Sequence, residues 1–398
     1  MRKPSANRRI YLDHAATRFP KPAAVLDAMH AYSSHEEAAV GRGAYRYSQA
    51  AGQIVARLRR ELADWIEAAD AVEMSLHAGG TEALNAALFG ILRPGDHVVT
   101  TAAEHNSVLR PLTHLVDNEV IRLTVVSADA TGTVDADQVL QAIRPETRMV
   151  AIVHAANVNG AVQPVVTIGQ ALADRYPDNH KPLLLCDAAQ SFGHLPLSVV
   201  DARIDLLAAP GHKGGDGPLG TGFLYARQTV HAALRPTIFG GTGSQSESLR
   251  MPRDYPSVLE AGNMNVPALA GWLAGLTARR GNDSPQQVLV RSSDQLRDLA
   301  NELYQRLEVI EGIRLIGKPA TLNLPVASIA VNELSASDAA MILDSEFGVE
   351  VRSGLHCAAL IHKAIGSPSD GTLRISCGQT TTLEELDHLA DALSQLTG

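Results

Sequence analysis

Leu183-Leu184-Leu185-Cys186-Asp187-Ala188-Ala189-Gln190 and, a short distance downstream, Ala209-Pro210-Gly211-His212-Lys213-Gly214-Gly215 decide how this chain folds. In the first stretch an apolar run ends in an acid. In the second, the run from Ile204 through Ala208 leads into a glycine-rich turn that carries a lysine. Short apolar runs of this kind read as buried strands. Val98-Val99-Thr100 and Met149-Val150-Ala151-Ile152-Val153 have the same form. Between the runs lies helical patterning. Before them, Ile54, Val55, Leu58, Leu62, Trp65 and Ile66 recur at spacings of three and four and predict an amphipathic helix. Strands alternating with helices predict an α/β fold with a mostly parallel sheet. Ligands of such sheets gather beyond the carboxyl ends of the strands. Glu104-His105, Asn157, Asp187 and His212-Lys213 all follow such ends, so the topology predicts that they converge on one site.

A chain of 398 residues exceeds the usual size of one core, and two domains are expected. Gly281-Asn282-Asp283-Ser284-Pro285 is a breaker cluster followed by a long helical pattern through Leu296, Leu299, Leu303 and Leu307, which puts the boundary there. Residues 21–285 then form a large domain. Residues 286–398 form a smaller α+β domain with strands at Ser328–Val331, Val349–Arg352 and Thr372–Ser376. A net charge of -9 and the lack of a basic cluster beyond Arg57–Arg60 argue against a nucleic-acid surface. No segment has the apolar length of a signal peptide core or a membrane span, so a cytoplasmic protein is expected. Cys186, Cys357 and Cys377 are odd in number and lack CxxC spacing, which suggests neither a disulfide framework nor a zinc site.

The chemistry starts from Lys213, because only an amine forms a Schiff base with a carbonyl. Asp187, deep at a strand end, needs a positive partner, and a protonated pyridinium nitrogen supplies one. Together they suit pyridoxal phosphate. Gln190 and Asn157 are placed to hydrogen-bond its phenolate side. The helix start at Ala78-Gly79-Gly80-Thr81 suits the phosphate through backbone amides. His105 can stack on the ring and relay protons. Cys357, in Arg352-Ser353-Gly354-Leu355-His356-Cys357-Ala358, is the candidate nucleophile, with Arg352 and His356 beside it to favour the thiolate. Cys186 and Cys377 read as small buried residues. Arg374 lies in a strand, and a substrate carboxylate is its natural bidentate partner.

These residues resemble the class V aminotransferase family of fold-type I pyridoxal phosphate enzymes, and within it the cysteine desulfurases of the SufS and CsdA (group II) kind. Matching pieces run from Tyr11-Leu12-Asp13-His14-Ala15-Ala16-Thr17 to Arg374. The resemblance implies that residues 1–20 form an N-terminal arm packed on the small domain. It also implies that Lys213 is the Schiff-base lysine, Asp187 the ring-nitrogen partner, His105 the stacking residue, Cys357 the sulfur acceptor and Arg374 the carboxylate clamp. Gly80, Thr81, Asn157, Gln190 and His212 complete the cofactor shell. The implied reaction takes L-cysteine to L-alanine and leaves a persulfide on Cys357 for a sulfur-acceptor protein. Relatives are homodimers that share residues across the interface. Phe239–Ser244, with Thr242, and Glu260–Asn263 look like the sharing segments. Selenocysteine lysis or another class V lyase or aminotransferase reaction stays open, as does a weakly cofactor-binding sulfur carrier or scaffold. Four places depart from the family pattern. Pro210 stands where a Ser or Thr is usual, removing a hydroxyl and an N–H, and one lost phosphate hydrogen bond costs roughly 1.5–3 kcal/mol. Asn263 replaces a threonine, Tyr45 in Gly41-Arg42-Gly43-Ala44-Tyr45 a histidine, and Gln379-Thr380-Thr381 an aromatic-Asn-Thr.

Overall fold

The computed structural model describes residues 9–41, 43–177, 180–243 and 247–398; Arg42, Ser244 and the first eight residues of the expected arm lie outside them. A two-residue strand, β1 (Ile10–Tyr11), precedes the main sheet. That sheet is built from β2 (Met74–His77), β3 (His97–Thr101), β4 (Arg122–Val126), β5 (Thr147–Val153), β6 (Leu183–Asp187), β7 (Leu206–Pro210) and β8 (Gly222–Ala226). Their spatial order is β2-β8-β7-β6-β5-β3-β4. Only β8 runs against the others, so the sheet is mostly parallel and the fold is α/β.

The unbroken apolar runs have a direct cause. Val150, Ile152, Leu184, Cys186, Leu207 and Ala209 point into one buried core, shared with Leu58, Leu62 and Trp65 of helix Arg46–Ile66. Met149, Ala151, Leu183, Leu185, Leu206 and Ala208 point the other way, into a second core beneath helix Gly80–Ile91. Both faces are covered, so neither parity of the strand is polar.

A second sheet, of order β12-β13-β10-β9, is antiparallel and comprises β9 (Ile313–Ile316), β10 (Val326–Val331), β12 (Arg352–Gly354) and β13 (Thr372–Ser376). The strand predicted over Val349–Arg352 is two. β11 (Val349–Glu350) pairs with β1, whereas β12 pairs with β13, and the chain changes partners at Val351. Helix Pro285–Glu308 begins at the breaker cluster, where Ser284 and Gln287 form a capping box. Its early residues Val288 and Leu289 enter the first core of the main sheet. Leu303, Tyr304 and Leu307 enter the core of the second. Among the described residues no helix is long and apolar enough to cross a membrane.

Candidate active site

β2, β3, β5, β6 and β7 run the same way, so the residues just past their ends share one edge of the sheet. Asp187 ends β6, and β7 leads through Pro210 into His212-Lys213. The Asp187 carboxylate is 2% exposed and accepts a 2.9 Å hydrogen bond from the Ala189 N–H. It has no ion pair among the described residues, and burial raises its pKa. The Lys213 side chain likewise has no hydrogen bond or ion pair among the described residues. Burial lowers its amine to about 8, Asp187 opposes that shift, and Arg374 and Arg352 add to it. A buried acid without a cation and a half-buried amine without an acceptor stand at the ends of neighbouring strands. A pyridoxal ring nitrogen and aldehyde fit these two groups.

Burial also separates the neighbouring groups by charge. Glu104 accepts from the Thr101 hydroxyl at 2.6 Å and the Val153 N–H at 3.0 Å. Burial pushes its pKa up to about 8, with Asp187 adding to the shift, so a second buried negative charge is avoided at neutral pH. His105 is lowered to about 4, first by burial and then by Lys213 and nearby arginines. It is a neutral ring. It also caps helix Asn106–Asp117, because the Ser107 N–H donates to His105 Nδ1 at 3.0 Å. With Nδ1 accepting, the ring proton sits on Nε2. The Ser107 hydroxyl lies 2.9 Å from the same nitrogen and 2.8 Å from the Thr81 hydroxyl, joining His105 to the start of helix Gly80–Ile91. Ser107 was not among the residues predicted for the site. A polar residue two positions after a histidine at a helix start is the signal that points to it.

The N-terminal segment contributes more than an arm. The Thr17 hydroxyl, the Arg18 N–H and the Lys21 ammonium all donate to the His212 carbonyl, at 3.1, 3.1 and 2.6 Å. The Gln190 side-chain amide donates to the Ala15 carbonyl at 2.9 Å, so its nitrogen serves the segment. Asp13 pairs with Arg374 at 2.5 Å. Arg374, 1% exposed, also donates to the Asn157 carbonyl at 3.0 Å. Asp13 and the Asn157 carbonyl thus take up part of this buried guanidinium, which the sequence reading assigned to a substrate carboxylate. Asp13 is brought there by the bridge it forms with Ser376, two residues beyond Arg374 on the same strand. The Arg374 Nε is buried and unpaired.

Cys357 is exposed, and Arg352 reaches to 3.5 Å from its sulfur. Cys186 and Cys377 are buried. His356 does not stand beside the thiol as expected. Its side chain turns inward, 2% exposed, with Nε2 3.0 Å from the Thr372 hydroxyl. Burial pushes it down to about 2, so it supplies no positive charge to Cys357. The loop nevertheless reaches the site. The Asn106 N–H donates to the Cys357 carbonyl at 2.7 Å, and the Asn157 side-chain amide donates to the His356 carbonyl at 2.7 Å.

At the expected phosphate end, Pro210 packs against the helix start. A Cβ on Gly80 would lie 3.0 Å from Pro210 Cδ and 3.2 Å from its nitrogen. The ring thus fills the space a side chain at position 80 would need. His212 Nδ1 is buried without a partner. Thr81 is exposed apart from its hydroxyl contact with Ser107. Thr242 lies in the loop joined to the second segment by a 2.7 Å hydrogen bond from the Gly262 N–H to the Gly241 carbonyl. Asn263 is exposed beside a cleft it lines with Ala78 and Glu82. Tyr45 is likewise exposed, and Gln379 donates to Ser292.

Residues 10–389 match the family described as Aminotransferase class-V. The chain belongs to the class V aminotransferase family. A family member from Methanothermobacter thermautotrophicus named "Probable cysteine desulfurase" is 34% identical over 98% of this chain and 95% of its own length. One from Pectobacterium atrosepticum named "Cysteine desulfurase" is 32% identical over 97% and 92%. Among solved structures, the apo cysteine desulfurase of Thermococcus onnurineus superposes with a TM-score of 0.87, at 29% identity and covering 100% and 98% of the two chains. The Escherichia coli cysteine desulfurase CsdA gives 0.84, at 26% identity and 97% and 94% coverage.

Proposed function

We propose that this chain is a pyridoxal phosphate-dependent cysteine desulfurase that converts L-cysteine to L-alanine and takes the sulfur onto Cys357 as a persulfide. One observation carries the reading: an unpaired buried acid and an unpaired half-buried amine on adjacent strand ends, with an exposed cysteine whose loop is hydrogen-bonded to Asn106 and Asn157. The names of the family members support the substrate. Asp187 would hold the ring nitrogen, Lys213 the aldehyde, and His105 the ring face. Asn157, Gln190 and His212 would line the rim, and Gly80 and Thr81 the phosphate end. Such a cofactor supplies an electron sink for the pair released at the substrate α-carbon.

The chain's own residues do the rest. Lys213, with an amine near 8, is neutral often enough to take the α-proton and return it to carbon. Neutral His105, with its proton on Nε2, offers a hydrogen-bond donor over the site. Arg374 receives the substrate carboxylate on guanidinium hydrogens not used by Asp13 and Asn157, and Arg352 lies near enough to share it. The Cys357 thiolate attacks the substrate sulfur. The new sulfur–sulfur bond forms as the carbon–sulfur bond breaks, the carbon is protonated, and alanine leaves.

On the same reading, residues 21–285 hold the cofactor and residues 286–398 carry Cys357 and Arg374. Two copies would assemble with Thr242 and Asn263 facing the neighbour's site. Phe239 and Leu249, both exposed, are apolar side chains such an interface would cover. A sulfur-acceptor protein would then take the persulfide. The test is alanine release from L-cysteine together with mass spectrometry of Cys357. Cys357→Ser is expected to lose both the persulfide and sulfur transfer to a thiol acceptor. Undiminished transfer in that variant overturns the proposal, and a demand for an oxoacid co-substrate assigns a transaminase instead.

A further inference from the structure

His356 and Cys357 are consecutive residues with φ of 49° and 58°. Other non-glycine residues with positive φ among the described ones stand singly. A left-handed backbone is unfavourable for any residue with a Cβ, and two in a row persist only where their surroundings hold them. The surroundings are explicit. The Asn157 side chain donates to the His356 carbonyl, the Asn106 N–H to the Cys357 carbonyl, and the Ala358 N–H to the Leu355 carbonyl, at 2.7, 2.7 and 2.9 Å. Beneath them the His356 ring is enclosed beside His362, with ring centroids 5.9 Å apart.

The direction of each proton below the ring follows from its neighbours. The Ser328 hydroxyl donates to the Val158 carbonyl at 2.7 Å, so the 2.9 Å contact between Ser328 and Thr372 is donated by Thr372. The Thr372 oxygen then accepts from His356 Nε2–H at 3.0 Å. This chain of hydroxyls ends at Val158, next to Asn157, so the ring is tied to the strand end that carries the site. All three side chains are buried, and the imidazole is neutral because burial opposes its charge.

We infer that His356 is a positioning residue for Cys357: its buried ring, bonded to Thr372, anchors the paired left-handed backbone that turns the thiol outward over the site. This rests on Cys357 as the sulfur acceptor, and the experiment separates the two claims. Misplacing a reacting atom by about 1 Å costs up to about a hundredfold in rate without a matching loss of ground-state binding. In the cofactor-loaded enzyme, His356→Ala is expected to lower kcat for alanine release at least about tenfold while KM for L-cysteine stays within about twofold. Iodoacetamide alkylation of Cys357 without substrate is expected to rise as the loop leaves its held conformation; Cys186 and Cys377 are buried and do not compete. His356→Gln, which keeps an N–H for Thr372, is expected to recover most of both. Thr372→Val removes the acceptor at nearly constant volume and carries the same test if His356→Ala does not fold. Unchanged kcat and alkylation in both His356→Ala and Thr372→Val overturn the inference, as does a kcat loss matched by an equal rise in KM. Full transfer by Cys357→Ser overturns the acceptor assignment instead, and the alkylation rates still judge the anchor.

Discussion

Asp13→Ala removes the one acid paired with Arg374, a guanidinium that is 1% exposed. Breaking a buried pair from one side costs about 3–5 kcal/mol, because the remaining charge is left without compensation. The Asp13 side chain is 20% exposed, so water can enter from its side and the lower end of the range applies. The Asn157 carbonyl continues to accept from Arg374. The expected loss is therefore about 3 kcal/mol. Asp13→Asn keeps an oxygen acceptor and loses only the charge, for about half that cost. The assay is urea unfolding of the cofactor-free proteins at pH 7, since a bound cofactor would add its own stabilisation. The order must be Asp13→Ala below Asp13→Asn below the parent. If Asp13→Ala loses less than about 1 kcal/mol, Arg374 has another source of compensation and the ion-pair argument fails. Adding acetate gives a second check. A small carboxylate that enters the vacated space is expected to raise the stability of Asp13→Ala more than that of the parent.

Lys213 makes stability depend on pH in the cofactor-free protein. Its folded pKa is lowered from 10.5 to about 8, so between these values the unfolded chain binds more protons than the folded one. The cost of burying this amine is therefore full below pH 8 and is relieved as the pH rises toward 10.5. The stability difference between parent and Lys213→Met, followed by urea midpoints across that window, is expected to shift in the parent's favour with rising pH; a flat difference counts against a buried amine. Gly80→Ala would put a Cβ 3.0 Å from the Pro210 ring and is expected to cost about 1–3 kcal/mol by overpacking. Pro210→Ser should relieve most of that cost. A double-mutant cycle in thermal unfolding checks the coupling, and strict additivity would show that the two residues do not press on each other.

Some of this site was legible because it depends on patterns within a strand. Asp187 and Lys213 were predicted from apolar runs that end in polar turns, and both stand on the shared edge of a mostly parallel sheet. Direction was harder to read than position. His356 was expected beside the thiol, yet the left-handed backbone at 356 and 357 sends one side chain inward and the next outward. Val349–Arg352 has the composition of one strand. The pairing of its first half with the N-terminal segment divides it.

By itself the sequence determined that the strands are buried, that they run mostly parallel, and that acid, amine and histidine follow strand ends. Those features rest on periodicity and burial, which neighbours along the chain already express. The tertiary structure alone decided that Arg374 is held by Asp13, 361 residues away, and that Ser107 fixes the proton of His105 on Nε2. It also decided that Pro210 fills the space beside Gly80 and that the Cys357 loop is held by Asn106 and Asn157. Contacts of this kind depend on which side chains meet when separate segments pack. A chain read from end to end carries no pattern for that geometry.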